Sequence, residues 1–122
     1  DGYISMTHSG NMVAIALSKT EDIGMDLEMV SSKIDKVKHK ILHQKDSYQN
    51  LEELTQLWTV KESVYKLFDG SNVFFMNDVL TTELKKGSAL AYCDISNYNL
   101  RAKIDFYYIQ EQYILSIATK AN

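Results

Sequence analysis

With 122 residues, 45% of them hydrophobic and 24% charged, the chain has the apolar material for one core and not the length for two. A formal net charge of -3 excludes the overall basic character of a nucleic-acid binder, and a single cysteine, Cys93, excludes an intrachain disulfide and fits a reducing, cytoplasmic setting. No apolar run approaches the ~20 residues that cross a bilayer, so neither nucleic acid nor membrane is an expected partner.

There is no proline, repeat or low-complexity stretch to mark a boundary, and the expectation is one domain over residues 1–122. Because the chain opens on Asp1 rather than on methionine, it is read as a piece of something longer. Tyr3 to Met6 and Met12 to Leu17 are β-compatible runs on either side of a Ser9-Gly10-Asn11 turn signal. The second run lacks polar alternation and is expected at a sheet centre, buried on both faces. Ile23 to Glu28 reads as a strand whose period of two sends Asp26 and Glu28 to one face and Met25 and Leu27 to the other.

After Ser31-Ser32 as a cap, Ile34, Val37, Ile41 and Leu42 predict an amphipathic helix over Lys33 to His43. A longer helix is predicted from Tyr48 to Phe68, stopped by Asp69-Gly70. Asn72 to Leu80 reads as a loop or irregular strand. Leu90 to Ile95, Leu100 to Tyr108 and Tyr113 to Thr119 follow as three strands, with Tyr92, Tyr107, Tyr108 and Tyr113 expected in core and sheet-face packing. The fold class is therefore α+β, an antiparallel sheet packed against helices.

Three short stretches carry chemistry: Thr7-His8-Ser9-Gly10, Gly24-Met25-Asp26-Leu27-Glu28, and Trp58-Thr59-Val60-Lys61-Glu62-Ser63-Val64-Tyr65-Lys66. They contribute three carboxylates and, in His8, Lys61 and Lys66, three phosphate ligands. Phosphoryl transfer needs little more than a cation against the phosphate oxygens, positive side chains to hold the phosphates, and a base beside the attacking hydroxyl. Mg²⁺ takes a few carboxylates together with substrate oxygens and water, so a strand giving Asp26 and Glu28 and a helix giving Glu62 form a sensible open site. On the long helix Glu62 and Lys66 are four apart and share a face with Trp58.

In this order the three motifs resemble the 4′-phosphopantetheinyl transferase superfamily, and within it the C-terminal half of the surfactin-synthetase type. The resemblance implies that fold and the transfer of 4′-phosphopantetheine from coenzyme A to a serine of an acyl or peptidyl carrier protein, leaving adenosine 3′,5′-bisphosphate. It further implies that Asp26, Glu28 and Glu62 hold Mg²⁺ and that Glu62 acts as base for the carrier serine. Lys66 would neutralise the phosphate in transfer. His8 and Ser9 would bind coenzyme A phosphates, with Lys61 in support through electrostatics or helix packing. Since surfactin-type enzymes are pseudo-dimers that bind the coenzyme between two similar halves, a second half-domain or second copy is an implied partner.

The chain departs from the family pattern in three places. Thr7 replaces a serine, Ile41 and Asp46 stand where a Phe and a Glu are usual, and residues 68–75 replace a glycine-rich loop. The alternative is a non-catalytic carrier-binding homologue, or an isolated half without a complete coenzyme A site. Taken singly, each motif has a bland reading: Asp26 and Glu28 as a solvated edge, Glu62 with Lys66 as a surface ion pair, His8 as a turn residue. His39 and His43, four apart among Lys36, Lys38, Lys40 and Lys45, read as a solvated basic face rather than a metal site. That face suits an acidic carrier protein.

Overall fold

The computed structural model describes residues 2–68, 76–82, 90–95 and 99–121; the Asp69-Gly70 helix stop and most of the 68–75 departure lie outside the described residues. Strands β1 (Tyr3–Ser9) and β2 (Met12–Ser18) form an antiparallel pair with Ile4 opposite Leu17, Met6 opposite Ile15 and His8 opposite Val13. Its turn requires Gly10, which adopts φ +55° and where a Cβ would lie 2.8 Å from the Tyr113 hydroxyl. The hairpin is as expected, but β2 is not a sheet centre. It belongs to a two-stranded sheet and leaves Val13, Ile15 and Leu17 exposed, because no further strand or helix covers that face among the described residues.

The main sheet has the order β3-β7-β6-β5-β4, all antiparallel, from β3 (Gly24–Met29), β4 (Leu80–Thr82), β5 (Leu90–Ile95), β6 (Leu100–Ile109) and β7 (Tyr113–Lys120). The β6–β7 hairpin turns on Gln110 and Glu111, both at positive φ, with Gln112 N–H donating to the Ile109 carbonyl. This is the turn geometry whose twist matches that of paired strands. Strand β4 begins at Leu80, the last residue of the segment read as a loop or irregular strand, and extends beyond it to Thr82. Two of the four tyrosines expected in packing are instead exposed, Tyr107 and Tyr108, while Tyr113 is buried and the Tyr92 side chain lies outside the described residues.

Helix α1 (Leu51–Leu67) starts three residues later than the periodicity predicts. Asn50 sets the start, its side chain accepting from Glu53 N–H while Glu53 accepts from Gln49 N–H. The helix predicted over 33–43 is replaced by two 3-10 turns, Ser32–Lys36 and Lys38–Lys40, with Ser31 capping the first through Lys33 N–H. A short segment with β-branched residues and repelling lysines has little intrinsic helicity, and burial of Ile41 fixes the chain without a regular helix.

Val60, Val64 and Leu67 of α1 pack on Ala102, Ile104 and Phe106 of β6 and on Ile114 and Ala118 of β7, which makes the core. Ser116 donates to the Thr59 carbonyl and ties helix to sheet. Gly24, Asp26 and Glu28 stand opposite Ala118, Ser116 and Ile114 in the β3–β7 register and so share the helix-facing side. Helix and strand come closest at Gly24. A Cβ there would collide with the Ser63 carbonyl oxygen and lie 2.5 Å from the Leu67 nitrogen, both backbone atoms that cannot rotate away.

Strand β3 is an edge of its sheet, and β1 seals it by side chains. Ser5, Thr7 and Ser9, at the period of two, accept hydrogen bonds from the N–H groups of Met25 (3.0 Å), Leu27 (3.1 Å) and Met29 (3.3 Å). These hydroxyls satisfy the outward donors that a bare edge would leave unpaired. Gly24→Ala is expected to lower stability by about 3 kcal/mol, the upper range for overpacking, and to force β3 and α1 apart. Chemical denaturation measures the loss, and Gly24→Ser should be no better tolerated.

Candidate functional site

The close approach at Gly24 brings the acids of β3 against the second half of α1. Asp26 is buried, 4% exposed, on the strand side. Its Oδ1 accepts from Thr7 Oγ1 at 3.4 Å and from Lys66 Nζ at 3.3 Å, while Oδ2 is buried without a hydrogen-bond partner. Lys66 Nζ also donates to the Met25 carbonyl at 3.0 Å, so one ammonium spans strand backbone and acid. Glu28 Oε1 accepts from Trp58 Nε1 at 2.7 Å, which gives the tryptophan one turn before Glu62 a definite task.

Burial is the main reason the Asp26 carboxyl is pushed up to about 8, and the neighbouring Glu28 charge adds to it against the opposing pull of Lys66. Glu62, half-buried on the same side of α1, is also raised, first by burial and then by Glu28, with Lys66 again opposing. The opposing pull of one lysine thus does not offset the burial of these two carboxyls. Asp26 and Glu28 are close enough to share a hydrogen bond, while among the described residues no three His, Cys, Asp or Glu side chains form a ready cage. What fits a divalent ion is the donor set: hard carboxylate oxygens, one of them without a partner, on groups whose ionisation a cation would favour.

Two clefts flank the acids. One, about 470 Å³, is lined by Glu28 and Trp58 with Ser9, Met29, Ile34 and Val37. The other, about 550 Å³, is lined by Glu62 and Lys66 with Ile4, Met6, Asp22 and Tyr65.

Of the residues singled out in the sequence, Asp26, Glu28, Glu62 and Lys66 are brought together. Ser9 reaches the first cleft while bonded to Met29 N–H. His8 is exposed on the outer face of the hairpin, since its neighbour Thr7 occupies the inner one. Lys61 is not available to a coenzyme. Its side chain is wholly buried, with Nζ 2.7 Å from Asp46 Oδ2 and further bonds to the carbonyls of Val79 and Met76. One position along the helix turns it by ~100° from Glu62 and into the fold, where the departure residue Asp46 supplies its counter-charge. Asp46 Oδ2 also accepts from His43 N–H, so the 3-10 region, α1 and the approach to β4 are clasped at one point.

Sequence reasoning missed the seam and the second task of Thr7. The signal was present as hydroxyls at 5, 7 and 9, alternating with Ile4, Met6 and His8.

The sequence model of the 4′-phosphopantetheinyl transferase superfamily matches residues 22–118, a stretch that contains helix α1 and every strand of the main sheet but for the last two residues of β7. The chain belongs to that superfamily. A search of curated proteins gave no match. The family match starts after the hairpin, so it covers Asp26, Glu28, Glu62 and Lys66 and not Thr7, His8 and Ser9. Among the described residues no helix is long and apolar enough to cross a membrane.

In this phosphopantetheinyl transferase domain the raised carboxyls set a pH dependence. Folded Asp26 keeps its proton up to about pH 8, whereas an unfolded aspartate releases it near 3.8. The native state therefore holds more protons within that window, and stability falls as pH rises through it. Glu62 acts in the same direction. Melting temperature without divalent ions is expected to fall between about pH 5 and about pH 8, and Asp26→Asn to flatten the decline. Added Mg²⁺ should raise the wild-type value most at the alkaline end.

Proposed function

We propose that this domain transfers 4′-phosphopantetheine from coenzyme A to a carrier-protein serine. The observation that carries the reading is the meeting of Asp26 and Glu28 from β3 with Glu62 and Lys66 from α1, inside a chain of this superfamily. In the reaction the serine oxygen forms a bond to the phosphorus that bears pantetheine. The bond from that phosphorus to the bridging oxygen breaks, and adenosine 3′,5′-bisphosphate leaves with the electron pair.

Glu62 accepts the serine proton, directly or through a water. Lys66 lies 33% exposed at the cleft that Glu62 also lines, placed to take up charge on the transferred phosphate. Asp26 and Glu28, with Glu62, are the groups to hold Mg²⁺, which when bound would neutralise the pyrophosphate oxygens. Ser9 and His8 are the proposed contacts to the coenzyme phosphates.

The position of His8 also bears on whether the chain acts alone. It shares the outer hairpin face with Ile4, Met6, Val13, Ile15 and Leu17, which are 58–77% exposed. A contiguous apolar face of this kind is seldom left to water. A coenzyme held by His8 would lie between that face and a second body, either a further half of a longer chain or a second copy. This favours, as the second reading, a half-domain that binds carrier but turns over only with its complement. A cytoplasmic location goes with either reading.

Incubation of apo carrier proteins with coenzyme A, Mg²⁺ and the protein, followed by mass spectrometry, should show the phosphopantetheine adduct; no adduct even with a complementing half refutes transfer. Glu62→Ala is expected to reduce the rate by at least ~100-fold with the melting temperature little changed. Lys36 and Lys40, exposed on the two 3-10 turns, are proposed to steer an acidic carrier. Reversing both charges should slow carrier association several-fold at low salt and leave it unchanged at high salt. Stopped-flow measurements at two ionic strengths separate these outcomes.

A further inference from the structure

The three seam hydroxyls are alike in accepting a backbone N–H from β3, and they differ in what lies beyond. Thr7 is paired through that strand with Leu27, whose neighbour Asp26 carries the most perturbed carboxyl of the site. While one lone pair of the Thr7 hydroxyl accepts from Leu27 N–H at 3.1 Å, its single O–H donates to Asp26 Oδ1 at 3.4 Å. Thr7 is itself 7% exposed, so water does not readily replace either bond. Lys66 reaches the same oxygen, Oδ1, at 3.3 Å from the helix side. Two donors on one oxygen fix the plane of the carboxylate and leave Oδ2 bare among buried surroundings.

We propose that Thr7 is a positioning residue of the site: its hydroxyl anchors Asp26 through Oδ1 and so presents Oδ2 to a divalent cation. The role is distinct from binding coenzyme phosphates, because the hydroxyl is already engaged on both sides. It rests on reading Asp26 as a cation ligand of a phosphopantetheinyl transferase site. Partners of this kind, which touch a ligand rather than the ion, typically govern ~10–100-fold in metal affinity.

Ser5 supplies a matched control, since it bonds Met25 N–H at 3.0 Å in the same seam and stands two residues from Thr7. Thr7→Val keeps the shape and removes the hydroxyl, Thr7→Ser keeps the hydroxyl, and Ser5→Ala breaks a seam bond while leaving Thr7 and Asp26 in place. The full chain is titrated with Mg²⁺ alone, without coenzyme A, and the melting temperature followed. The Mg²⁺ concentration giving half of the shift is expected to rise ~10-fold in Thr7→Val and to stay within about twofold of wild type in Thr7→Ser and Ser5→Ala.

Equal shifts in Thr7→Val and wild type would overturn the proposal, as would equal impairment of Thr7→Val and Ser5→Ala, which would make Thr7 a seam residue only. Absence of any Mg²⁺ shift in wild type would overturn it too. Failure of the carrier adduct to form, with the Thr7-dependent Mg²⁺ shift intact, would instead sink the transferase reading and leave the positioning of Asp26 standing.

Discussion

The close contact of β3 with α1 at Gly24 is the constraint on which the site depends. A strand and a helix ordinarily keep enough distance for a layer of side chains between them. Here the missing Cβ lets the strand backbone reach Ser63 and Leu67, and the interval is short enough for Lys66 to touch both the Met25 carbonyl and Asp26. Glu62 and Trp58, one and two turns earlier, then fall opposite Glu28. A single absent methyl group thereby brings two acids of a strand within electrostatic range of an acid and a lysine of a helix.

That arrangement holds more negative charge than it neutralises. The fold tolerates it through burial that keeps the proton on Asp26, and through donors on the outer sides of the acids, Trp58 on Glu28 and Thr7 with Lys66 on Asp26. Carboxyls raised in this way are ones whose ionisation a bound cation would favour. Lys61 shows the contrasting case. One residue from Glu62, it is sealed against Asp46 and belongs to the scaffold. Adjacent lysine and glutamate on one helix are separated in function by the angle between successive residues.

The hairpin has a double character. Its inner edge is polar, three hydroxyls meeting three N–H groups, whereas its outer face is among the most apolar exposed surfaces of the described chain. Alternation along β1 produces both, and it places Thr7 toward the carboxylates and His8 away from them. The two neighbours of one motif accordingly point to opposite faces of the hairpin, Thr7 toward Asp26 and His8 to the face it shares with Ile4, Met6, Ile15 and Leu17.

Much of this was legible in the residues. The α+β class, the strand carrying Asp26 and Glu28 on one side, the helix carrying Glu62 and Lys66, and the last three strands follow from periods of two and 3.6, which are local properties of the backbone. Other features were not, because they depend on partners distant in sequence. Val13, Ile15 and Leu17 spell a buried strand, and only the strand pairing shows them facing out. Ile34, Val37 and Ile41 spell a helix, and the closing of Asp46 on Lys61 fifteen residues later accompanies 3-10 turns instead. Local pattern determined which side chains share a face; the tertiary structure decided what each face meets, since burial, hydrogen-bond partners and charge compensation are set by contacts across the fold.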